Sequence, residues 1–188
     1  MNDSLEKKLT SAISLNQYDV VKKLILNGAC VNGDNSKFTV ACNSGALVYI
    51  FPPLFLACTN CNIKIIKLLI DHNADVNKKN PHDDSPLLFF VINDNKSDTF
   101  EIVKLLVSHG ANINEKTKNG TTPLMMAAYR NNLDIVKFLL FEGADRYLTD
   151  PKGRTFLDYA TDRKSVEEIM FTNIKPATKS QNEINYII

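Results

Sequence analysis

The chain has no tryptophan, four cysteines, seven glycines and seven prolines in 188 residues. Four scattered cysteines are too sparse for a disulfide scaffold. Net charge is also nearly absent: 22 Lys and Arg face 21 Asp and Glu, a formal balance of +1. The basic residues alternate with acids rather than clustering, which argues against a nucleic-acid surface. No long apolar run is present. The longest, Ala46 to Cys58, is interrupted by Pro52 and Pro53, so no membrane span is expected. The opening residues Met1 to Glu6 lack the basic and apolar regions of a secretory signal. A cytoplasmic protein is therefore expected, with the cytoplasm or nucleus of a host cell as the alternative. Only four arginines stand against 18 lysines, and there are 21 asparagines and 16 isoleucines. That usage follows AT-rich coding DNA, as in large DNA viruses, intracellular bacteria or protists.

What the chain does contain is 44% apolar and 23% charged residues. These are the proportions of a folded domain rather than a disordered one. Laid on itself, the sequence repeats. Ile65 to Asn77, Ile102 to Asn114 and Ile135 to Asp145 align residue for residue, and Val20 to Asn32 is a further copy. Upstream lies a second common block, beginning at Pro53, Pro86 and Pro123, with a degenerate start at Gly153 to Ala160. From Pro53 to Ile65 and from Pro123 to Ile135 is 12 residues; from Pro86 to Ile102 is 16.

Each unit reads as two short helices. Proline suits a first helical turn, where its missing N–H costs nothing. Ile65, Leu68 and Leu69 recur at helical spacing. Gly28, Gly110 and Gly143, with Asn73 in the same place, follow the second helix where a left-handed cap is wanted.

The pattern resembles the ankyrin repeat, whose unit of about 33 residues is a β-turn and two helices. The resemblance runs from about Leu5 to Met170. It implies an all-α repeat solenoid, an L-shaped stack of about five units with β-turn fingers. The units are 1–33 as an N-terminal cap, 46–80, 81–117, 118–150, and 151–170 as a C-terminal cap. Residues 34–45 read as an inserted, mobile loop from their Gly, Asn and Ser content. Departures from the family pattern are Phe55, Leu88 and Met125 at its histidine position, and Asn16, Cys61 and Asn131 at its inter-helix glycine. Phe90 and Val91 replace paired alanines, which predicts looser or shifted packing there.

The tail, 171–188, is polar until Tyr186-Ile187-Ile188. Three readings stay open: disorder, a fold-back of Tyr186 and Ile188 beside Phe156 and Ile169, or a ligand for a carboxylate-capturing domain.

Candidate chemistry is thin. Cys58 and Cys61 form a C-x-x-C pair, the basis of an alternative reading as a thiol- or metal-dependent enzyme. The repeat register places Cys58 at the end of a helix, where the dipole does not activate a thiol. No further ligands complete a zinc set. His72 and His109 occupy equivalent helix-end positions and His82 lies apart, so no catalytic pair forms. No nucleotide-binding or hydrolase motif occurs. No catalytic residue, metal or cofactor is expected.

Surface remains. The resemblance implies a non-enzymatic module that binds a partner protein in a concave groove of fingers and first helices, acting as adaptor or inhibitor. It is expected to be a monomer. The family's variable contact positions fall on Phe51, Thr59, Asn60 and Lys79. In the next unit they are Pro81, His82, Asp84, Ile92, Asn93 and Lys116. In the one after they are Lys118, Asn119, Thr121, Tyr129, Arg130 and Thr149. Phe51, Ile92, Tyr129 and Arg130 are the expected anchors, because aromatic, large apolar and Arg residues dominate hot spots.

Overall fold

The computed structural model describes residues 2–33, 39–41, 47–49, 51–80, 82–92 and 99–172. They form two compact units, 1–112 and 113–188.

The first unit holds three helix pairs: α1 (Asn2–Ser14) with α2 (Tyr18–Leu26), α3 (Pro53–Thr59) with α4 (Ile63–Asp71), and α5 (Pro86–Ile92) with α6 (Thr99–Ser108). The second holds α7 (Pro123–Tyr129) with α8 (Leu133–Phe141), and α9 (Phe156–Tyr159) with α10 (Arg163–Thr172).

The boundaries follow from local chemistry. Pro53, Pro86 and Pro123 each open a first helix. Asn62 and Asn132 cap the second helices by accepting the Ile65 and Ile135 N–H groups, each at 3.1 Å. Between helices the chain turns through the left-handed region at Asn16, Cys61 and Asn131, with φ of 55°, 53° and 57°. Gly28, Gly110 and Gly143 terminate second helices at φ 87°, 88° and 93°, and Asn73 does so at 63°.

Burial gives each unit its own core. Leu9, Ile13, Leu54, Ile65, Ile66, Leu69, Leu87, Ile102 and Leu106 are sealed in the first. Leu124, Met125, Ile135, Val136, Leu139, Phe156 and Val166 fill the second. The three apolar substitutes at the histidine position, Phe55, Leu88 and Met125, are all buried. So are Phe90 and Val91. Phe51, Phe55, Phe89 and Phe90 form an aromatic row. Their successive centroid separations are 5.3, 4.7 and 6.0 Å, in stacked, tilted and edge-on geometry.

Asparagines tie consecutive pairs together. The Asn32 side chain accepts the Asp75 N–H at 2.7 Å and donates to the Asn73 carbonyl at 3.1 Å. Asn77 accepts the Asn112 N–H and donates to the Gly110 carbonyl. In the second unit Asn114 accepts the Asp145 N–H at 2.8 Å. Tyr147 stands at the next equivalent position and points into solvent, 73% exposed.

The insertion corrects an expectation. Where composition predicts a loop over 34–45, Thr39–Ala41 (β1) pairs antiparallel with Leu47–Tyr49 (β2), with Val40 opposite Val48. Thr39, Val40, Val48 and Tyr49 are β-formers flanking a run of turn residues, Asn43-Ser44-Gly45. The mobility expected of this segment falls on residues outside those described, as do the three readings of the tail beyond residue 172.

Candidate functional site

Each finger is a tight turn closed by one polar side chain. The Asn80 Oδ1 accepts the backbone N–H groups of His82 and Asp84 at 2.8 and 2.9 Å. The Thr117 Oγ1 accepts those of Asn119 and Thr121 at 3.2 and 3.1 Å. The Asp150 Oδ1 accepts those of Lys152 and Arg154, both at 2.9 Å. Three residue types thus perform one task. The turn also needs a positive φ, supplied by Asp83 at 73°, Gly120 at 74° and Gly153 at 75°.

The last finger carries the strongest electrostatics. The Arg154 guanidinium donates from Nε and lies 2.7 Å through its terminal nitrogen from Asp150 Oδ2, and the Tyr159 hydroxyl donates to the same oxygen at 2.9 Å. Burial pushes the Asp150 carboxyl's pKa upward. The hydrogen bonds from Arg154, Tyr159 and the Lys152 backbone overcome that push and hold it well below the usual carboxylate range.

The candidate contact residues divide into those held within the fold and those presented outward. In the first unit Phe51 is half-buried and stacked on Phe55, so part of this expected anchor already belongs to the fold. Asn60 donates to the Ile13 carbonyl at 2.9 Å, pinning α3 to α1, and the Thr59 hydroxyl donates to the Leu56 carbonyl. Lys79 is exposed and lies 3.3 Å from the Asp83 carboxylate. His82 is exposed; Asp84 and Ile92 are half-buried. Pro81 and Asn93 lie outside the described residues.

In the second unit Lys116, Lys118, Asn119, Tyr129, Arg130 and Thr149 are exposed. The Lys116 ammonium donates to the Thr149 carbonyl at 3.0 Å, bridging two successive units. Thr121 is the exception: it is 8% exposed, packed at the base of the finger, and offers a partner almost nothing. Tyr129, 53% exposed, and Arg130 stand together at the end of α7.

Three further exposed aromatic side chains were not anticipated: Phe141 at the end of α8, Tyr147 in the turn after it, and Phe171 in α10. Tyr147 was readable in retrospect, because it breaks the asparagine series of Asn32, Asn77 and Asn114.

The two cysteines differ in surroundings: Cys58 is buried and Cys61 is half-buried. Cys58 is fully buried in α3, and burial, with Cys61 nearby, pushes its thiol far above the ordinary value. Among the described residues no group of three or more His, Cys, Asp or Glu side chains gathers to hold a metal. No helix among them is long and apolar enough to cross a membrane. The His109 Nδ1 sits 2.8 Å from the Leu105 carbonyl at the end of α6, a helix-terminal role.

The family model for ankyrin repeats (3 copies) matches residues 9–116 and 88–179. The chain belongs to the ankyrin-repeat family. No curated protein sequence matches it. The paired helices and polar-closed fingers are therefore ankyrin units, and ankyrin repeats are generally protein–protein interaction modules. The family is typically non-enzymatic.

Proposed function

We propose that this ankyrin-repeat protein is a non-enzymatic binding module that docks a partner protein on its fingers and first helices. The observation that carries the reading is the Tyr129–Arg130 pair. An exposed aromatic ring and an exposed guanidinium stand side by side at the end of a helix whose Leu124, Met125, Ala127 and Ala128 are sealed in the core. A rigid base under such side chains lowers the entropy lost on binding. The same surface serves an adaptor or an inhibitor acting in the cytoplasm. The AT-rich residue usage favours a host-directed factor of a virus or intracellular microbe.

The test is Tyr129→Ala with Arg130→Ala, compared with the wild type in affinity capture from candidate host cells. Loss of specific partners, with the helical circular dichroism intact, is the expected result. An unchanged set of captured proteins overturns the docking face.

A further inference from the structure

The two fingers of the second unit carry a one-sided charge that the sequence's overall neutrality conceals. The first finger bears Lys116 and Lys118, both exposed, while its one acid, Glu115, is buried. The second bears Lys152, exposed, and Arg154, whose guanidinium is committed to buried Asp150. Neither Lys118 nor Lys152 makes an ion pair among the described residues. Among the described residues, the exposed carboxylates of this unit lie off the two turns: Asp134, Glu142 and Asp145 on α8 and the turn after it, Asp158 on α9, where it accepts from Thr155 and lies 4.0 Å from Arg163, and Glu168 on α10.

The two finger turns abut. A β-carbon at Gly120 would come within 2.6 Å of the Pro151 ring. Lys152 directly follows Pro151, and Lys118 lies two residues before Gly120 in the same turn. The two lysines thus sit on adjoining turns, and a segment lying across both turns would feel both charges; fields from exposed charges reach about 8 Å at physiological ionic strength. The finger at 79–84 in the first unit differs. There Lys79 faces Asp83, and Asp84 adds a second carboxylate. Among the described fingers, those at 116–119 and 150–153 expose lysines (Lys116, Lys118 and Lys152) without an exposed carboxylate, because Asp150 is buried.

From these exposed, unopposed lysines we infer that the two fingers recognise an acidic segment of a partner protein. The inference rests on the protein-binding reading above and specifies the partner's chemistry. The ammonium groups of Lys118 and Lys152 take carboxylates. Lys116 is held in place by the Thr149 carbonyl and adds to the positive field at the junction of the fingers. Such pairing governs encounter rate and selectivity, and it weakens with salt.

The experiment uses the full chain and a short fluorescein-labelled peptide alternating glutamate with leucine. A glutamine-for-glutamate analogue and a single-stranded RNA of similar length serve as comparison probes. Fluorescence anisotropy is read from low to physiological salt. The acidic peptide is expected to bind, to weaken as salt rises, and to lose roughly tenfold or more in affinity with Lys118→Glu plus Lys152→Glu. The glutamine analogue is expected not to bind. Lys118→Gln plus Lys152→Gln is the second variant, for use if charge reversal disturbs the thermal melt, and it should weaken binding in the same direction.

Absence of acidic-peptide binding at low salt, equal binding of the glutamine analogue, or indifference to both double variants overturns the inference. RNA binding at least as tight as the peptide's, and lost in the same variants, also overturns it by assigning the fingers to nucleic acid. If the peptide fails while partner capture still depends on Tyr129 and Arg130, only the acidic specificity falls. If that dependence is absent too, the docking reading falls with it.

Discussion

Asn77 reaches from the turn after α4 to the end of α6, where its side-chain amide donates to the Gly110 carbonyl at 2.9 Å. Its oxygen accepts the Asn112 N–H at 2.8 Å, so one side chain satisfies both sides of the next left-handed turn. The link is solvent-exposed, so its net worth is that of an ordinary hydrogen bond, about 1 kcal/mol each. Asn77→Ala should therefore cost about 1–2 kcal/mol in urea unfolding. Asn77→Asp should recover part of that loss, since it keeps an acceptor for Asn112 but no donor for Gly110. Equal stability of both variants with the wild type would show that water replaces the link at no cost.

Two glycines share a backbone conformation and differ in surroundings. Gly28 and Gly120 both have positive φ, but a β-carbon at Gly28 meets nothing within 4 Å, whereas at Gly120 it strikes the Pro151 ring. Gly28→Ala should cost only the left-handed penalty, about 1–2 kcal/mol. Gly120→Ala carries the same penalty plus the collision, and should lower the melting temperature further. Comparable melting temperatures for the two would show that the finger yields without resistance.

The helix pairs were legible because their determinants are local and repeated. Pro53, Pro86 and Pro123, the capping glycines and the Ile–Leu spacing each declare themselves without knowledge of the neighbours. The links between pairs were not legible in the same way. Asn32, Asn77 and Asn114 recur in register, but a polar residue in a turn is equally consistent with solvation, and only the chain path shows what it reaches. The site suffers the same ambiguity. Phe51 reads as an anchor until its stacking on Phe55 is seen, and Thr121 reads as a finger residue until its burial is. At the insertion, two short β-forming runs were outweighed by the turn residues around them.

Cys61 occupies the inter-helix turn at φ 53°, a conformation that Asn16 and Asn131 occupy in other repeats. Asparagine tolerates the left-handed region through local hydrogen bonding, and glycine tolerates it because it has no β-carbon. Cysteine has neither advantage. Cys61→Gly should raise stability by about 1 kcal/mol, reduced somewhat by the greater freedom of glycine in the unfolded chain. Cys61→Val, β-branched, should lower it. Chemical unfolding of the three proteins under reducing conditions decides the matter; a stabilising valine would mean that the left-handed strain is not felt at this turn.

The last prediction concerns acid. Asp150 is buried at the base of its finger, and its pKa in the folded protein is held below the ordinary value of about 3.9 by bonds that only the ionised form accepts in full. A depressed folded pKa means the unfolded chain takes up the proton first. The carboxylate's contribution is therefore complete above the ordinary carboxylate range and is lost as pH falls through and below it. Arg154 stays charged throughout, so nothing on the partner's side offsets the loss. Asp150→Asn keeps one acceptor oxygen for the turn but no charge for Arg154. The variant should be less stable than the wild type at pH 7, and the gap should narrow progressively as pH is lowered from about 5 towards 3. Urea midpoints measured across that interval provide the check. A gap that stays constant with pH would mean that the variant loses geometry rather than charge, and the Arg154–Asp150–Tyr159 network would then owe its worth to shape alone.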